Sequence, residues 1–428
     1  MDRRQFIQAG SAASVLGLMA GCATSGSGGG SAARGKVVVI GGGYGGATAA
    51  KYLRMWSDGG IDVTLVEPND SFISCPISNL VIGGSKQMAD ITTPYDNLTK
   101  RHGVKIAKDK AVGIDVDKRQ VKLAGGSTLP YDRLVVSPGI EFMWDALPGM
   151  KAAGAQDKVL HAWKAGPQTV ALRKQLEAMP DGGVYALTVP MAPYRCPPGP
   201  YERACQVAHY FSKAKPKSKV LILDANDDVT SKGPLFKKAW ADRYKGIIEY
   251  RPKHNLTDVD VASGTLKFEF NDDVKAQVLN VVPPQRAGDA AHNAGLTTAN
   301  KRWCEVDWLT MESKAAKNVH VLGDALQVAP LMPKSGHMAN QHGKIAAAAI
   351  VALLSGREPG ALPIYNNTCY SFVSDTDVVH VASVHRYDAA QKTMLTVPGS
   401  GGVSAAASEL EGHYAMAWAH NIWADTLA

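Results

Sequence analysis

The fold is decided by residues 37–46, which read Val-Val-Val-Ile-Gly-Gly-Gly-Tyr-Gly-Gly. This stretch is typical of a buried β-strand that ends in a Gly-x-Gly-x-x-Gly turn, with a helix opening at Ala47. Gly41 permits the tight turn, Gly43 lets the backbone approach a pyrophosphate, and Gly46 lets the helix pack closely on the strand. The helix N-terminus then offers free N–H groups to the phosphates. The stretch therefore predicts a dinucleotide-binding site.

A second apolar strand is predicted at residues 63–66 and ends in Glu67. The carboxylate stands about 20 residues past the glycine turn, where it can accept hydrogen bonds from a ribose diol. A 2′-phosphate at that position would be repelled by the negative charge. Strand, turn, helix and acid together favour dinucleotide binding over a purely structural glycine turn.

Two later segments indicate which dinucleotide binds. Residues 131–139 read Tyr-Asp-Arg-Leu-Val-Val-Ser-Pro-Gly, and residues 319–324 read Val-His-Val-Leu-Gly-Asp. They resemble the second and third FAD fingerprints of the two-dinucleotide-domain flavoproteins, the disulfide-reductase-like superfamily. In that superfamily the Gly-Asp pair places a carboxylate on the ribityl chain of FAD, which implies this role for Asp324. Because the three pieces occur in order, the predicted cofactor is FAD.

Length and composition bound the fold and exclude some partners. A chain of 428 residues is too long for one simple core, so two or three domains are expected. Hydrophobic content of 45% and charged content of 20% are ordinary for a globular protein. The net charge of +7 is spread along the chain without a long basic run, which disfavours nucleic acid as a partner. No apolar stretch reaches the roughly 18 residues needed to span a membrane, and no metal site is predicted.

The N-terminus is predicted to be an export signal. Residues 3–7 read Arg-Arg-Gln-Phe-Ile, a twin-arginine pattern, and a short apolar region follows at residues 9–20. This pattern predicts a periplasmic protein exported in the folded state, which suits an enzyme that loads FAD in the cytoplasm. Residues 18–22 resemble a lipoprotein cleavage box, so Cys22 is either a lipid anchor or an unmodified cysteine near an ordinary cleavage site. Residues 23–35, rich in Ser, Gly and Ala, are predicted to be a flexible linker.

The pattern of elements predicts an α/β fold with two Rossmann-like domains of the FAD/NAD(P)-binding type and a C-terminal α+β interface domain. The second domain is predicted to begin with a strand at residues 184–189, and a long buried helix is predicted at residues 343–354. Short strands are expected from Ile364 onward, followed by a helix at residues 409–425. The predicted domains are, in chain order, residues 1–35 (signal and linker), 36–148 (FAD-binding domain, first part), 149–289 (second Rossmann-like domain), 290–361 (FAD-binding domain, second part) and 362–428 (C-terminal domain).

The second domain lacks a nicotinamide fingerprint. In relatives that use NADH, a glycine-rich turn follows the first strand of this domain, but here residues 190–200 hold several prolines and a single glycine, Gly199. Proline removes N–H donors and fixes φ, so this loop cannot form a close phosphate cradle. NAD(P)H is therefore disfavoured as the electron source. Electrons are instead expected from a substrate at this loop, which carries Cys196.

Three cysteines, Cys75, Cys196 and Cys369, are predicted to lie in loops. In an exported protein, accessible thiols are expected to be paired or modified. Cys205 and Cys304 are predicted to be buried and to pack as small apolar residues.

Around these cysteines the chain resembles the flavoprotein subunit of flavocytochrome c sulfide dehydrogenase. The resemblance rests on residues 194–204, Tyr-Arg-Cys-Pro-Pro-Gly-Pro-Tyr-Glu-Arg-Ala, on residues 367–371, Asn-Thr-Cys-Tyr-Ser, and on residues 332–336, Met-Pro-Lys-Ser-Gly. It extends over essentially the whole chain, including the twin-arginine leader. It implies that Cys196 and Cys369 form a redox-active disulfide beside the flavin.

The same resemblance implies that Cys75 is bonded through sulfur to the flavin 8α-methyl group and that Glu202 lies in the active site. Glu202 stands near a helix start, where it could manage protons or serve only as a carboxylate favoured by the helix dipole. Lys334 and the helix N-terminus that follows it are predicted to stabilise the anionic reduced flavin. The residues expected to contact the cofactor are Gly41, Gly43, Tyr44, Gly45, Gly46, Glu67, Cys75, Ser137, Pro138, Gly139, Gly323, Asp324, Lys334, Ser335 and Gly336.

The chemistry that the resemblance implies is oxidation of sulfide to sulfur or polysulfide. Hydrosulfide attacks one sulfur of the disulfide, which gives a persulfide and a released thiolate, and two electrons pass to the flavin. The family's acceptor is a c-type cytochrome subunit, and this chain has no Cys-x-x-Cys-His motif, so haem is expected only on a partner. Tyr414, Trp418 and Trp423 near the C-terminus either belong to that interface or are plain core packing.

Two other functions stay open. A membrane-associated sulfide:quinone oxidoreductase shares the fold and the disulfide but needs an apolar quinone channel and amphipathic membrane-binding helices, and the polar C-terminus disfavours it. A flavin-bearing subunit that modulates a thiosulfate-oxidising complex, without turning over sulfide itself, would not need Cys196 or Cys369.

Overall fold

The computed structural model of the protein describes residues 34–428. The predicted export signal, Cys22 and most of the predicted linker therefore lie outside the described residues. Within residues 34–428, no helix is both long enough and apolar enough to cross a membrane.

The first part of the described chain supplies most of one sheet. Its strands are β1 Lys36–Ile40, β2 Asp62–Val66, β3 Ser71–Ile73, β4 Thr92–Pro94, β5 Lys105–Ala107, β6 Ala111–Asp115, β7 Gln120–Leu123, β8 Thr128–Pro130, β9 Arg133–Val136 and β10 Ile140–Phe142. Its helices are α1 Tyr44–Trp56, α2 Ser78–Gly83 and α3 Asp96–Lys100.

The middle of the chain forms a second sheet with its own helices. The strands are β11 Val184–Val189, β12 Lys219–Asp224, β13 Ile248–Arg251, β14 Leu256–Asp260, β15 Thr265–Phe268, β16 Val274–Lys275, β17 Val278–Val281 and β18 Gln285–Ala287. The helices are α4 Ala155–Lys158, α5 Pro167–Ala178, α6 Gly199–Ala214, α7 Gly233–Arg243 and α8 Asp289–His292.

The last part of the chain holds two long helices and an antiparallel sheet. The strands are β19 Val319–Val321, β20 Ile364–Phe372, β21 Val378–Asp388, β22 Thr393–Thr396 and β23 Gly402–Val403. The helices are α9 Gly336–Leu354 and α10 Glu409–Leu427.

Two parallel sheets form the framework of the protein. The first has the strand order β19-β9-β1-β2-β5, and the second has the order β13-β12-β11-β17. Residues 37–40 of β1 are all buried, as expected for a parallel strand covered on both faces. Because β19 pairs with β9, the chain leaves the first sheet, builds the second and then returns. The predicted α/β fold with two Rossmann-like sheets is confirmed.

The structure corrects three predictions about local structure. The helix predicted at residues 343–354 begins earlier, at Gly336, because the Ser335 hydroxyl accepts the N–H of Met338 at 3.0 Å and caps it. The strands after Ile364 are not short, since β20 has 9 residues and β21 has 11. Cys369 consequently lies inside β20 and not in a loop, opposite Val381 of β21.

The C-terminal helix α10 is fastened to the first domain by a half-buried polar cluster. The carboxylate of Asp425 accepts hydrogen bonds from Tyr52 at 2.5 Å and from Asn340 at 2.7 Å, and pairs with Lys344 at 2.8 Å. Tyr52 belongs to α1, whereas the other two partners belong to α9. The cluster therefore fixes α10 against the helices that flank the glycine turn.

Candidate functional site

The segments predicted to bind FAD meet at the carboxyl end of the first sheet. Gly41 follows β1, Glu67 follows β2 and Ser137 follows β9, and all three line a cavity of about 440 Å³. Gly323, shortly after β19, lines the same cavity. Ligands of α/β sheets bind outside the carboxyl ends of the strands. The fold thus assembles the three segments where a dinucleotide is expected.

Two glycines of the turn are required by close backbone packing. Gly41 has a φ of +94°, and a Cβ atom there would lie 2.3 Å from the carbonyl oxygen of Ser137. A Cβ atom on Gly46 would lie 1.9 Å from the carbonyl oxygen of Gly41. By contrast, no atom lies within 4 Å of the corresponding position on Gly43, which lines the cavity. The turn is tight on its inner side and open toward the cavity, as a phosphate cradle needs.

Replacing Gly46 with alanine is expected to destabilise the protein by about 2 kcal/mol or more, because the new methyl group overlaps a backbone oxygen that cannot swing aside. Thermal unfolding of the purified variant, followed by circular dichroism, measures the effect. Gly402→Ala is the matched control, since Gly402 is exposed and a Cβ atom there meets nothing within 4 Å. Equal unfolding midpoints for the two variants would contradict the packing described for the turn.

Two carboxylates line the cavity, that of the buried Glu67 and that of the half-buried Asp324. Glu67 Oε2 accepts the backbone N–H of Gly42 at 2.7 Å, so this side chain is fastened to the glycine turn. Asp324 differs, because its Oδ1 is buried and has no hydrogen-bond partner among the described residues. Burial raises the pKa of Asp324, while the neighbouring cations Arg195 and Lys334 lower it. An unpartnered buried carboxylate oxygen is costly unless a ligand donates a hydrogen bond to it.

The residues of the cavity fit FAD. The unpartnered oxygen of Asp324 suits a ribityl hydroxyl, and the carboxylate of Glu67 suits the adenosine ribose. The open side of Gly43 and the N-terminus of α1 suit the pyrophosphate. The half-buried thiol of Cys75 lines the cavity and lies 4.0 Å from the carbonyl oxygen of Trp163.

Lys334 does not line the cavity, contrary to the prediction that it stabilises the reduced flavin. Its buried ammonium group donates to the carbonyl oxygens of Asp324, at 3.0 Å, and Leu326. It also lies 3.6 Å from the centre of the Trp303 ring. Burial lowers the pKa of Lys334 to about 7. The side chain of Lys334 is held by these two carbonyl groups, whereas its neighbours Pro333, Ser335 and Gly336 line the cavity.

Three cysteines from distant parts of the chain line this one cavity. Cys75 stands between β3 and α2, Cys196 in the loop before α6, and Cys369 within β20. Burial raises the pKa of the Cys196 thiol, and the neighbouring Cys369 raises it further. All five described cysteines are free thiols in the structure, so the predicted disulfide stays a prediction. The remaining two, which are fully buried as predicted, are Cys205 and Cys304.

Glu202 lies beside the two thiols on the first turn of α6. Its Oε2 accepts a hydrogen bond from the Asn79 amide at 2.7 Å, and its Oε1 accepts the backbone N–H of Phe372 at 2.8 Å. Burial raises the pKa of Glu202, although both hydrogen bonds and the nearby Lys232 oppose the shift. A buried carboxyl group with a raised pKa is a candidate proton carrier.

Most of the other predicted site residues line the cavity, and their roles stay predictions; Gly46 does not line it and instead packs against the carbonyl oxygen of Gly41. The predicted residues that line the cavity are Gly41, Gly43, Tyr44, Gly45, Glu67, Cys75, Ser137, Pro138, Gly139, Cys196, Glu202, Gly323, Asp324, Ser335, Gly336 and Cys369. Sequence reasoning missed the cations around the thiols. Arg195 lines the cavity, and Lys232 lies just behind Cys369. The position of Arg195 beside Cys196 was visible in the motif, whereas nothing in the sequence around Lys232 points to β20.

The acid that ends β12 in the second sheet, Asp224, is not free to bind a nicotinamide ribose. Asp224 ends β12, the place that corresponds to Glu67 beside β2 in the first sheet. Its Oδ2 accepts hydrogen bonds from the hydroxyl groups of Tyr201, at 2.7 Å, and Tyr250, at 3.1 Å. Both donors come from the protein itself, and the carboxylate is fully buried. This arrangement supports the prediction that the domain does not serve NAD(P)H.

The aromatic residues of α10 take two different roles. Trp423 is buried, and its Nε1 donates to the hydroxyl group of Tyr44 at 3.0 Å. Trp418 is half-buried, lines the cavity and lies 6.1 Å from the ring of Tyr370. Tyr414 is 52% exposed. Core packing therefore explains Trp423, and only Tyr414 presents most of its ring to solvent.

Family models match three stretches of the chain. The model described as sulfide dehydrogenase [flavocytochrome c] flavoprotein chain, central, matches residues 169–283. The model of the flavocytochrome c sulphide dehydrogenase flavin-binding domain matches residues 361–427. The model of pyridine nucleotide-disulphide oxidoreductases matches residues 35–178.

Individual relatives point to the same group of flavoproteins. The flavoprotein chain of sulfide dehydrogenase [flavocytochrome c] from Chlorobaculum thiosulfatiphilum is 61% identical over 46 residues, which are 11% of this chain and 94% of that sequence. A mitochondrial sulfide:quinone oxidoreductase from Dictyostelium discoideum is 27% identical over 303 residues, which are 68% of this chain and 65% of that protein. The crystal structure of the sulfide:quinone oxidoreductase from Aquifex aeolicus has a TM-score of 0.75 at 18% identity, with 91% of each chain covered. That last likeness establishes the fold alone.

Proposed function

The chain belongs to the family of flavocytochrome c sulfide dehydrogenase flavoprotein chains, and from this premise we propose that it oxidises sulfide to sulfur or polysulfide with FAD as its cofactor. One observation carries the proposal. Cys196 and Cys369, from separate domains, line the same cavity as the glycine turn that is suited to FAD. Two neighbouring thiols next to a flavin site can form a disulfide reversibly, and the dithiol and the disulfide differ by two electrons.

The first step that we propose is thiol–disulfide exchange. With Cys196 and Cys369 joined by a disulfide, hydrosulfide forms a bond to one sulfur, the sulfur–sulfur bond breaks, and the other sulfur leaves as a thiolate. The products are a cysteine persulfide and a thiolate, so atoms and charge balance. FAD, when bound, would supply a two-electron acceptor that can also donate electrons one at a time. A second hydrosulfide then attacks the outer sulfur of the persulfide, which releases hydrogen disulfide, the first polysulfide, and leaves a second thiolate. Closure of the two thiolates to the disulfide gives up two electrons, for which bound FAD would be the acceptor.

Glu202 is proposed to accept the proton that the incoming hydrosulfide carries. The carboxyl group is buried beside both thiols, and its two oxygens are held by Asn79 and the backbone of Phe372. Burial raises the pKa of Glu202 above the ordinary value of a glutamate, which makes its carboxylate a stronger base.

Replacing Glu202 with glutamine is expected to slow flavin reduction by sulfide about 100-fold, because the amide keeps the shape but cannot take a proton. Stopped-flow absorbance at the flavin band measures the rate. When rates are expressed per concentration of hydrosulfide, the unmutated protein should lose activity as the pH falls through the raised pKa, since the base becomes protonated. In the glutamine variant, the rate of flavin reduction should not show this decrease at low pH. A full rate with the same pH profile in the variant would show that Glu202 only caps α6.

We propose a c-type cytochrome subunit, which carries the haem, as the electron acceptor. The family to which the chain belongs supports this partner. A quinone is the second candidate, favoured by the 27% identity with the Dictyostelium discoideum sulfide:quinone oxidoreductase. Mixing the sulfide-reduced protein with ferricytochrome c or with a short-chain quinone separates the two. Faster flavin reoxidation by cytochrome c is expected, and faster reoxidation by the quinone would replace this proposal with the second.

Export to the periplasm by the twin-arginine route is likewise proposed, from Arg3 and Arg4 outside the described residues. Cell fractionation of the full chain and of a variant with both arginines replaced by lysine tests it. The unmutated protein should be periplasmic and the variant cytoplasmic, and the same location for both would contradict the route.

Mass spectrometry of the mature N-terminus decides whether Cys22 carries lipid.

A further inference from the structure

Lys232 is a buried cation that lies against Cys369. Its ammonium group donates to the carbonyl oxygen of Cys369 at 2.9 Å and to the hydroxyl group of Ser371 at 2.8 Å, and lies 4.0 Å from Cys369 Sγ. The side chain is only 7% exposed. Lys232 directly precedes α7 of the second domain, whereas Cys369 belongs to the C-terminal sheet, so the contact joins two domains.

Among residues 34–428, no carboxylate forms an ion pair with Lys232. The oxygens that satisfy its N–H groups belong to neutral carbonyl and hydroxyl groups. Glu202 is the nearby carboxylate, but its two oxygens are engaged by Asn79 and Phe372. A buried ammonium group is costly unless a negative charge compensates it. The thiol of Cys369 is the closest group that can supply such a charge.

We propose that Lys232 is a positioning residue that holds Cys369 as the thiolate when the Cys196–Cys369 bond opens, and thereby directs sulfide to the sulfur of Cys196. The inference rests on the proposed function, because it assumes that bond. Hydrosulfide bonds to Cys196 Sγ, the bond to Cys369 Sγ breaks, and its electron pair stays on Cys369 beside the ammonium group. The products are a persulfide on Cys196 and a thiolate on Cys369.

The proposal requires Cys369 to be the better leaving group of the two cysteines, and the charged groups around the two thiols can be compared for this. Burial raises the pKa of Cys369, Lys232 lowers it, and Glu202 raises it. For Cys196, burial raises the pKa, and both Cys369 and Glu202 raise it further against Arg195 and Lys232. The thiol with the lower pKa is the better leaving group in exchange.

Among the described residues, two charged groups act on Cys369, namely Lys232 and, from α6, Glu202. On β21 its register partner is the apolar Val381. From α9, His337 accepts the N–H of the adjacent Thr368 through Nδ1 at 3.0 Å. Burial lowers the pKa of His337, which disfavours the charged form of its ring. Lys232 is therefore the one cation among the described residues that contacts this sulfur.

Alkylation of the reduced holoprotein tests the inference without sulfide. The anaerobic protein is reduced with a phosphine and treated with iodoacetamide across a range of pH, and labelling of each cysteine is followed by peptide mass spectrometry. In the unmutated protein, the pH midpoint of labelling should be lower for Cys369 than for Cys196. In Lys232→Met the midpoint of Cys369 should rise by about 1 pH unit or more, and Lys232→Arg should restore most of the shift.

Lys215→Met is the matched control, because Lys215 is also buried and donates to backbone carbonyl oxygens, those of Glu177, at 2.6 Å, and Met179. It should leave the Cys369 midpoint unchanged. A midpoint that is the same in Lys232→Met as in the unmutated protein would overturn the inference. Should that variant fail to fold, a lower midpoint for Cys196 than for Cys369 in the unmutated protein would overturn it equally. Loss of sulfide oxidation with the expected midpoints would instead count against the proposed function alone.

Discussion

Replacing either Cys196 or Cys369 with serine is expected to abolish reduction of the flavin by sulfide, with a loss of at least about 1000-fold in rate. A serine hydroxyl group forms no sulfur–sulfur bond, so neither variant has the disulfide that hydrosulfide attacks, and no electrons can pass from sulfide to the flavin by this route. FAD should stay bound, because the residues suited to its phosphates and sugars lie on the first sheet and not on these two thiols. Anaerobic stopped-flow mixing with sulfide measures the rate, and the flavin spectrum measures the bound cofactor.

Cys205→Ala is the control for these variants. Cys205 is a fully buried thiol whose sulfur accepts a hydrogen bond from Trp240 Nε1 at 3.3 Å, and it does not line the cavity. Its replacement should leave the rate of flavin reduction intact. A normal rate of flavin reduction by sulfide in both serine variants would show that electrons do not pass through Cys196 and Cys369. It would favour the alternative of a flavin subunit that modulates a partner complex without using these cysteines.

Acid precipitation is expected to leave yellow flavin on the unmutated protein and to release it from Cys75→Ala. Acid unfolds the protein and frees any cofactor held by hydrogen bonds, but a thioether to the flavin survives unfolding. Cys75 stands between β3 and α2, and its half-buried thiol lines the cavity whose residues suit FAD, so it is available for such a bond. Absorbance of the washed pellet and of the supernatant measures the distribution of flavin.

The serine variant of Cys196 is the control here, since it removes another thiol of the same cavity without touching the proposed link. Its flavin should stay with the pellet. A colourless pellet from the unmutated protein would contradict the covalent bond, and flavin retained by Cys75→Ala would place the bond on another residue.

The parts of the site that lie in short sequence patterns were predictable. The glycine turn and Glu67 belong to one strand–turn–helix–strand unit, in which spacing along the chain fixes spacing in space. Asp324 follows a strand that must return to the same sheet, and its placement follows from that return. Burial of Cys205 and Cys304 follows from their size and polarity.

The parts that depend on contacts between domains could not be read from local pattern. Lys334 stands in a recognisable motif, yet two carbonyl groups and the Trp303 ring decide where its ammonium group lies. Cys369 looks like a loop residue because its neighbours are polar, but pairing of β20 with β21 places it in a strand. Lys232 contacts Cys369 only because β20 passes beside it. Such long-range packing has no signature within a short window of sequence.

The most direct measurement is peptide mapping of the unmutated protein before and after one equivalent of sulfide under anaerobic conditions. Digestion without reductant should first give a peptide pair linked through Cys196 and Cys369. After this one equivalent, the linked pair should be open while the flavin is still oxidised, with one additional sulfur atom on Cys196 and a free thiol on Cys369; the flavin should bleach only when a second equivalent removes that sulfur and the pair closes again. Bleaching of the flavin by sulfide in a protein whose Cys196 and Cys369 were never linked would contradict the account.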